Sequence, residues 1–195
     1  MDSFAVYKAL ILRYHRTLDL MSARAITDLD TKLLEARAYA NLLAPRLSPA
    51  ERILDVGSGV GLPGIPLAIA FPQHQVTLVE RRQKRASFLK LVVGQLGLEH
   101  VTVIADDVKK LNDVPYSWVC AQAVGQFSLL YCLTRHLHTG TVTIVARRGD
   151  LSSAERADLT AITGPVLETV LSPLPTHGKL ALLRLQGGRP CPSSV

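Results

Sequence analysis

Cysteine is scarce in this sequence, with three in 195 residues. Cys120, Cys132 and Cys191 are an odd number, and their separations do not match the ligand spacing of a metal site. A free cysteine in apolar surroundings packs as a small hydrophobic residue. The cysteines therefore predict a reducing, cytoplasmic setting and no bound metal.

Long apolar runs are missing as well. The longest, from Ile65 to Phe71, is too short to cross a bilayer and is interrupted by Pro66. Charged residues also break up the apolar residues near the N-terminus, at Lys8, Arg13 and Arg16, so no secretory signal is recognisable. These observations predict a soluble protein without a membrane partner.

Acidic residues are outnumbered, with 16 Asp and Glu against 22 Lys and Arg, which gives a net charge of +6. Basic side chains that neutralise phosphates release counterions, so this balance favours polyanionic partners. A basic protein without such a partner is the alternative, and composition alone does not decide. The simpler explanation of a run of basic residues is a solvated helix face, and it applies to the first of two basic clusters in this sequence. The first cluster is Arg81, Arg82, Lys84, Arg85 and Lys90, and the second is Arg147 with Arg148.

Apolar residues follow two patterns along the chain. Before Pro49 they stand three or four apart over Phe4–Leu20 and Asp28–Leu43, which predicts two amphipathic helices. After Pro49, short apolar runs alternate with helical stretches, and this alternation is typical of crossover units around a parallel sheet. The five predicted parallel strands are Ile53–Val56, Val76–Val79, Val101–Ile104, Trp118–Cys120 and Val142–Val145.

The C-terminal part departs from this alternation. Val166–Leu171 and Leu180–Leu185 are both strand-like, and the segment between them is too short for a crossover helix, so the pair must be antiparallel. We predict an α/β, Rossmann-like fold with a mostly parallel seven-stranded sheet, an antiparallel C-terminal hairpin and two extra N-terminal helices. The predicted organisation is a helical extension over 1–48, a Rossmann-like domain over 49–187 and a flexible tail over 188–195.

Glycines follow the first predicted strand, in the segment Asp55–Gly64. A glycine-rich turn after a strand lets the backbone approach a nucleotide where a side chain would collide. Gly57, Ser58 and Gly59 are therefore candidate contacts, although an ordinary tight turn gives the same pattern. Glu80 ends the second strand, where a carboxylate can accept hydrogen bonds from both hydroxyls of a ribose.

Dinucleotide enzymes and S-adenosylmethionine (SAM) enzymes both use these devices, and Gly59–Gly64 satisfies the G-x-G-x-x-G dinucleotide pattern. Two features favour SAM. Asp55 directly precedes the glycines, where it could orient the loop or meet the amino group of a methionine moiety. A C-terminal hairpin, moreover, is not the usual ending of a nicotinamide domain. We therefore predict a class I, SAM-dependent methyltransferase rather than an NAD or FAD enzyme.

Further candidates stand at the other strand ends. Asp106 and Asp107 follow the third strand, where a carboxylate could accept the amino group of adenine or simply cap a helix. Gln122 follows the fourth strand, at the position facing the transferred methyl, and offers no ionisable base. Arg147 and Arg148 end the fifth strand and could bind phosphates, or form a solvated surface pair.

The glycine loop continues into Leu62–Ala68 and is accompanied by three further segments: the strand Val76–Glu80, the basic run Lys84–Leu89 and the N-terminal segment Leu18–Ser22. Together these segments resemble the RsmG (glucose-inhibited division protein B) family, whose members methylate N7 of a guanine in small-subunit ribosomal RNA. The resemblance implies cofactor contacts at Gly57 and Leu62, a ribose contact at Glu80 and an adenine-flanking contact at Val108. It also implies ribosomal RNA or the small ribosomal subunit as the partner.

This chain differs from the family at several positions near the expected substrate. Gln122 stands where the family has an arginine, and Lys109 where it has an acidic residue. In the second helix, Lys32 and Glu35 stand where the family has histidine and aspartate, so Lys32 is a candidate substrate contact. Near the last strand, Gly178 stands where the family has a late arginine. Three functions therefore remain open: guanine-N7 transfer to ribosomal RNA, transfer to a small molecule or protein, and cofactor binding without transfer.

Overall fold

A computed structural model describes residues 2–112, 115–122, 126–148 and 152–186 of the protein. Two short 3-10 helices, Val108–Lys110 and Arg135–Leu137, accompany the main elements. In chain order the main elements are α1 (Ser3–Tyr14), α2 (Ala23–Thr27), α3 (Leu29–Leu43), β1 (Ile53–Val56), α4 (Gly64–Ala70), β2 (Val76–Val79), α5 (Gln83–Leu96), β3 (Val101–Ile104), β4 (Trp118–Ala121), α6 (Phe127–Thr134), β5 (Thr141–Arg148), α7 (Ser153–Thr163), β6 (Val166–Pro173) and β7 (Lys179–Gln186).

The strands form one seven-stranded sheet in the order β3-β2-β1-β4-β5-β7-β6. The first five strands pair in parallel, whereas β7 inserts antiparallel between β5 and β6. All residues of β1, β2 and β4 are buried, because helices cover both faces of the sheet, and this explains their nearly continuous apolar sequences. The predicted fold, including the antiparallel C-terminal hairpin, is confirmed.

The N-terminal helices are shorter and more numerous than the sequence pattern predicted. Helix α1 ends at Tyr14 rather than near Leu20, because the chain turns away there and Asp19 adopts a left-handed conformation with φ of 50°. The short helix α2 was not predicted; it begins after Ser22, whose hydroxyl accepts a hydrogen bond from the amide of Ala25. The predicted pair of N-terminal helices is therefore a group of three.

The core lies on both faces of the sheet. On one face, Tyr7 and Ile11 of α1 and Tyr39 of α3 pack in the same apolar cluster as Phe88 of α5 and Ile53 of β1. The opposite face is covered by α6 and α7. The N-terminal helices thus share the core of the sheet.

The predicted division at residue 48 stays a prediction, and the predicted tail over 188–195 lies outside the described residues. None of the helices that the structure describes has the length and apolar character needed to cross a bilayer.

Candidate functional site

A cleft of about 500 Å³ opens at the carboxyl ends of β1, β2 and β3. Open parallel sheets bind ligands at this edge, beside the point where the strand order reverses, which here lies between β1 and β4. Its lining comes from the strand ends, from the segment after β3 and from helices α5 and α6: Val56, Gly57, Val79, Glu80, Arg81, Arg82, Arg85, Asp107, Val108, Lys109, Leu129 and Leu133.

Two glycines of the loop after β1 have backbone conformations that other residues rarely adopt. The φ angles of Gly57 and Gly59 are 69° and 58°. A Cβ atom added at Gly57 would meet no heavy atom of the described residues within 4 Å, although the amides of Gly57 and Ser58 both donate to the carbonyl of Val79. The loop is therefore held firmly against β2 while the space beside Gly57 stays open for a ligand.

Glu80 stands at the edge of this cleft with 7% of its surface exposed. Its Oε2 accepts the amide of Gly59 at 2.9 Å and its Oε1 accepts the amide of Arg82 at 2.8 Å. A carboxylate oxygen can accept more than one hydrogen bond, so both oxygens keep capacity for a pair of hydroxyl donors. This placement suits the predicted ribose contact.

Asp55 is fully buried behind the glycine loop. Its Oδ2 accepts the amide of Gly64 at 3.1 Å, at the start of α4, whereas its Oδ1 has no hydrogen-bond partner among the described residues. Burial is the main cause that raises the pKa of Asp55 to about 7, the charge of Glu80 adds to it, and the Ser58 hydroxyl and the Gly64 amide act in the opposite direction. Of the two roles considered for Asp55, this geometry supports orientation of the loop.

Two other loop residues predicted to bind the cofactor point their side chains away from the cleft. The hydroxyl of Ser58 donates to the carbonyl of Asp55 at 2.9 Å, and Leu62 lies in the apolar core with 3% of its surface exposed. Any contact that these residues make with a cofactor must therefore come from their backbone. Their assignment stays a prediction.

Three residues of the segment after β3 line the cleft: Asp107, Val108 and Lys109. Asp107 accepts the amide of Lys109 at 3.0 Å and so caps a 3-10 helix, and its Oδ2 lies 3.7 Å from Nη1 of Arg81. Asp107 thus caps the 3-10 helix and lines the cleft at the same time. The neighbouring Val108 also lines the cleft and is buried. Gln122 is half-buried in the bend after β4 and does not line the cleft.

The two arginines that end β5 are neither free nor a solvated pair. Arg147 lies 3.1 Å from Oε1 of Glu35, which also accepts the hydroxyl of Thr176 at 2.6 Å, and Arg148 lies 2.7 Å from Oε2 of Glu155. Both glutamates are buried, so these ion pairs connect β5 to α3 and α7 inside the fold. A phosphate contact would have to use their remaining donors.

Lys32, the third predicted substrate contact, is half-buried on α3, one turn before Glu35.

Sequence reasoning missed the apolar wall of the cleft. Leu129 and Leu133 are one helical turn apart on α6, half-buried, and face the opening. The sequence did contain a signal for this wall, because α6 has more apolar residues than one buried face needs. Phe127, Leu130 and Tyr131 already pack in the core, which leaves Leu129 and Leu133 for another surface. Sequence reasoning also assigned no role in the cleft to Arg82 and Lys109.

Known proteins resemble this chain in sequence and in structure. The chain is 35% identical over 184 residues to the ribosomal RNA small subunit methyltransferase G of Sorangium cellulosum, covering 88% of this chain and 75% of the relative. It is 37% identical over 155 residues to the protein of the same name from Xylella fastidiosa, covering 78% and 71%.

Among solved structures, the magnesium protoporphyrin IX methyltransferase of Synechocystis with bound SAM superposes with a TM-score of 0.63 at 16% identity, covering 96% of this chain and 98% of that one. This likeness concerns the fold. The sequence model of the family described as rRNA small subunit methyltransferase G matches residues 1–163. This chain therefore belongs to the GidB family of rRNA small subunit methyltransferases G, as its glycine loop and second strand indicated.

Proposed function

We propose that this protein is a SAM-dependent methyltransferase that acts on RNA of the small ribosomal subunit, with N7 of a guanine as the acceptor. The observation that carries the proposal is the cleft, which combines the open space at Gly57 with the buried carboxylate of Glu80 at the switch point of the sheet. Family membership supports it, since the relatives are named ribosomal RNA small subunit methyltransferase G.

The residues of the cleft fit SAM in size and chemistry. Glu80 would accept the ribose hydroxyls, Leu129 and Leu133 would pack on the adenine, and the side-chain-free Gly57 would let the backbone approach the ligand. Bound SAM supplies an electrophilic methyl group on a sulfonium. The chain supplies the orientation of that group and its shielding from water.

Positive charge in the cleft supports RNA as the substrate. SAM contains no phosphate, yet Arg81, Arg82, Arg85 and Lys109 line the same opening. Arg81 lies near the carboxylate of Asp107, whereas the side chains of Arg82 and Lys109 have no polar partner within the part of the chain that the structure describes. Cations that the cofactor does not need suit the phosphates of a nucleic acid beside it.

The residues at the end of β4 offer no general base, which agrees with guanine N7 as the acceptor. This nitrogen attacks through a lone pair and carries no proton, so its methylation needs alignment with the sulfonium and no general base. Gln122 is neutral at any pH. The neighbouring Cys120 is fully buried, and burial together with the charge of Asp55 raises the pKa of its thiol well above the usual range. Neither residue therefore competes as a base or nucleophile.

Methyl transfer from radiolabelled SAM tests this proposal. We expect label in small-subunit ribosomal RNA from cells that lack the protein and none in large-subunit RNA, and we expect nucleoside digestion to release 7-methylguanosine. Label in a protein or metabolite fraction would favour the alternative acceptor. Calorimetric binding of SAM without label in any fraction would favour a binding protein without transferase activity.

The role of the cationic lining makes a separate prediction. Affinity for small-subunit RNA should fall less steeply with salt in the double variant Arg82→Ala with Lys109→Ala. The magnitude of the slope of log affinity against log salt should decrease by about two, because each cation that contacts a phosphate releases about one counterion. Lys90→Ala is the matched control, since Lys90 is exposed on α5 but does not line the cleft. An unchanged slope in the double variant would place the RNA elsewhere.

A further inference from the structure

Two buried tyrosines connect the N-terminal helices to the carboxyl edge of the sheet. The hydroxyl of Tyr7, on α1, donates to the carbonyl of Val60 at 2.9 Å, between the second and third glycines of the loop. The hydroxyl of Tyr39, on α3, donates to the carbonyl of Ala121 at 2.9 Å, at the end of β4 and directly before Gln122. The first contact spans 53 positions of the chain and the second spans 82.

Both hydroxyls stay protonated around neutral pH and can therefore donate hydrogen bonds. Tyr7 and Tyr39 are 0% and 1% exposed, and burial, with a further contribution from the charge of Asp55, raises the pKa of each well above its usual range. A buried carbonyl that loses such a donor loses a hydrogen bond that water cannot replace. The two contacts are therefore durable constraints on the backbone that they hold.

The constraint on the glycine loop acts on one peptide group from both sides. Tyr7 holds the carbonyl of Val60, and the amide of Gly61 in the same peptide group donates to the carbonyl of Ser58 at 2.7 Å. A Cβ atom added at Gly61 would lie 3.1 Å from the Tyr7 hydroxyl on α1 and 2.5 Å from Cγ1 of Ile65 on α4. Both helices therefore pack directly against the loop. The orientation of the loop thus depends on a side chain of the N-terminal helix α1.

We propose that Tyr7 and Tyr39 are positioning residues for the cofactor. Their hydroxyls hold the glycine loop, which lines the cleft, and the end of β4, the strand that pairs with β1 beside it, in the arrangement that binds SAM. The N-terminal helices are then part of the cofactor site as well as of the core. This inference rests on the proposed use of SAM, and it adds two residues, neither of which contacts the cleft.

Removal of single hydroxyl groups tests the inference in the full-length chain. Tyr116→Phe is the matched control, because Tyr116 is also buried and its hydroxyl donates to Thr77 at 2.9 Å, but this bond joins the segment before β4 to the middle of β2. We expect Tyr7→Phe, Tyr39→Phe and Tyr116→Phe to lower the melting temperature by similar amounts. Only the first two should raise the dissociation constant for SAM, by about three- to tenfold, the equivalent of one hydrogen bond.

The outcomes separate positioning from simple stabilisation. If all three variants bind SAM as the unmodified protein does, or if all three weaken it equally, the hydroxyls stabilise the fold and the inference is overturned. A protein that binds no SAM before any substitution contradicts the proposed function instead. Binding is measured by calorimetry at a temperature well below every midpoint, so that partial unfolding does not contribute to the result.

Discussion

Gly57→Asp is expected to abolish measurable SAM binding while the protein still folds. The left-handed conformation of Gly57 is one that aspartate tolerates better than most residues, and an added Cβ atom would meet no heavy atom within 4 Å in the part of the chain that the structure describes. The new carboxylate would extend into the cleft opposite Glu80, where the cofactor needs the room. We expect the dissociation constant to rise at least about a hundredfold, which corresponds to roughly 3 kcal/mol.

A second glycine provides the control for backbone strain. Gly97 ends α5 with φ of 63°, and a Cβ atom there also has open space around it, but it does not line the cleft. Gly97→Asp should therefore lose comparable stability in thermal unfolding and keep its affinity for SAM in calorimetry. Equal loss of SAM binding in both variants would mean that strain, rather than occupation of the cleft, caused the effect, and the assignment of the site would be wrong.

The central strands could be predicted from the sequence because their residues are buried on both faces. Ile53–Val56 and Val76–Val79 have the predicted bounds, since a short apolar run between polar residues leaves little choice of limits. The fifth strand was predicted too short. It extends to Arg148, because β7 pairs with it as far as Lys179, and two arginines at a strand end give no apolar signal.

Ion pairs and hydrogen bonds between distant parts of the chain could not be predicted in this way. The contact of Arg147 with Glu35 joins residues 112 positions apart, so no local pattern indicates that this arginine is already paired. Tyr7 and Tyr39 are similar cases, because a tyrosine at helical spacing predicts only burial and not the destination of its hydroxyl. Strand ends, in contrast, meet at one edge of any parallel sheet, which is why Gly57, Glu80 and Asp107 could be grouped from the sequence alone.

Asp55→Asn is expected to stabilise the protein by an amount that is smaller at pH 5, grows as the pH rises and levels off above about pH 7. The pKa of Asp55 in the folded chain is raised from 3.8 to about 7, mainly by burial. A raised pKa means that the contribution of the group to stability is fully present below the unfolded value and is lost as the pH rises through about 7. Ionised Asp55 thus destabilises the folded protein, whereas asparagine stays neutral and can still accept the amide of Gly64.

Thermal unfolding of both proteins between pH 5 and pH 8.5 measures this difference. The melting temperature of the variant should exceed that of the parent by on the order of 5–10 °C at the upper end. Burial lowers the pKa of His138 from 6.5 to about 4, so His138 also makes the stability depend on pH below about 6.5, but it does so equally in both proteins and cancels in the comparison. Asp106→Asn is the control, because Asp106 is exposed and the hydrogen bond from the amide of Asp107 lowers its pKa from 3.8. Asp106 therefore titrates below the pH range of the experiment.

The reason to keep a destabilising carboxylate in this place would be the charge of the ligand. SAM carries a sulfonium and an ammonium group, and a nearby cation favours the ionised form of a buried carboxylate. Binding of SAM should then release a proton from Asp55 near pH 7, and the release is detected by calorimetry in buffers of different ionisation enthalpy. Asp55→Asn should bind SAM without that proton release. If the unmodified protein releases no proton, bound SAM does not change the protonation of Asp55, and the role of this residue is confined to orienting the loop. A difference in melting temperature that stays constant with pH would mean that the pKa of Asp55 is not raised in the folded protein.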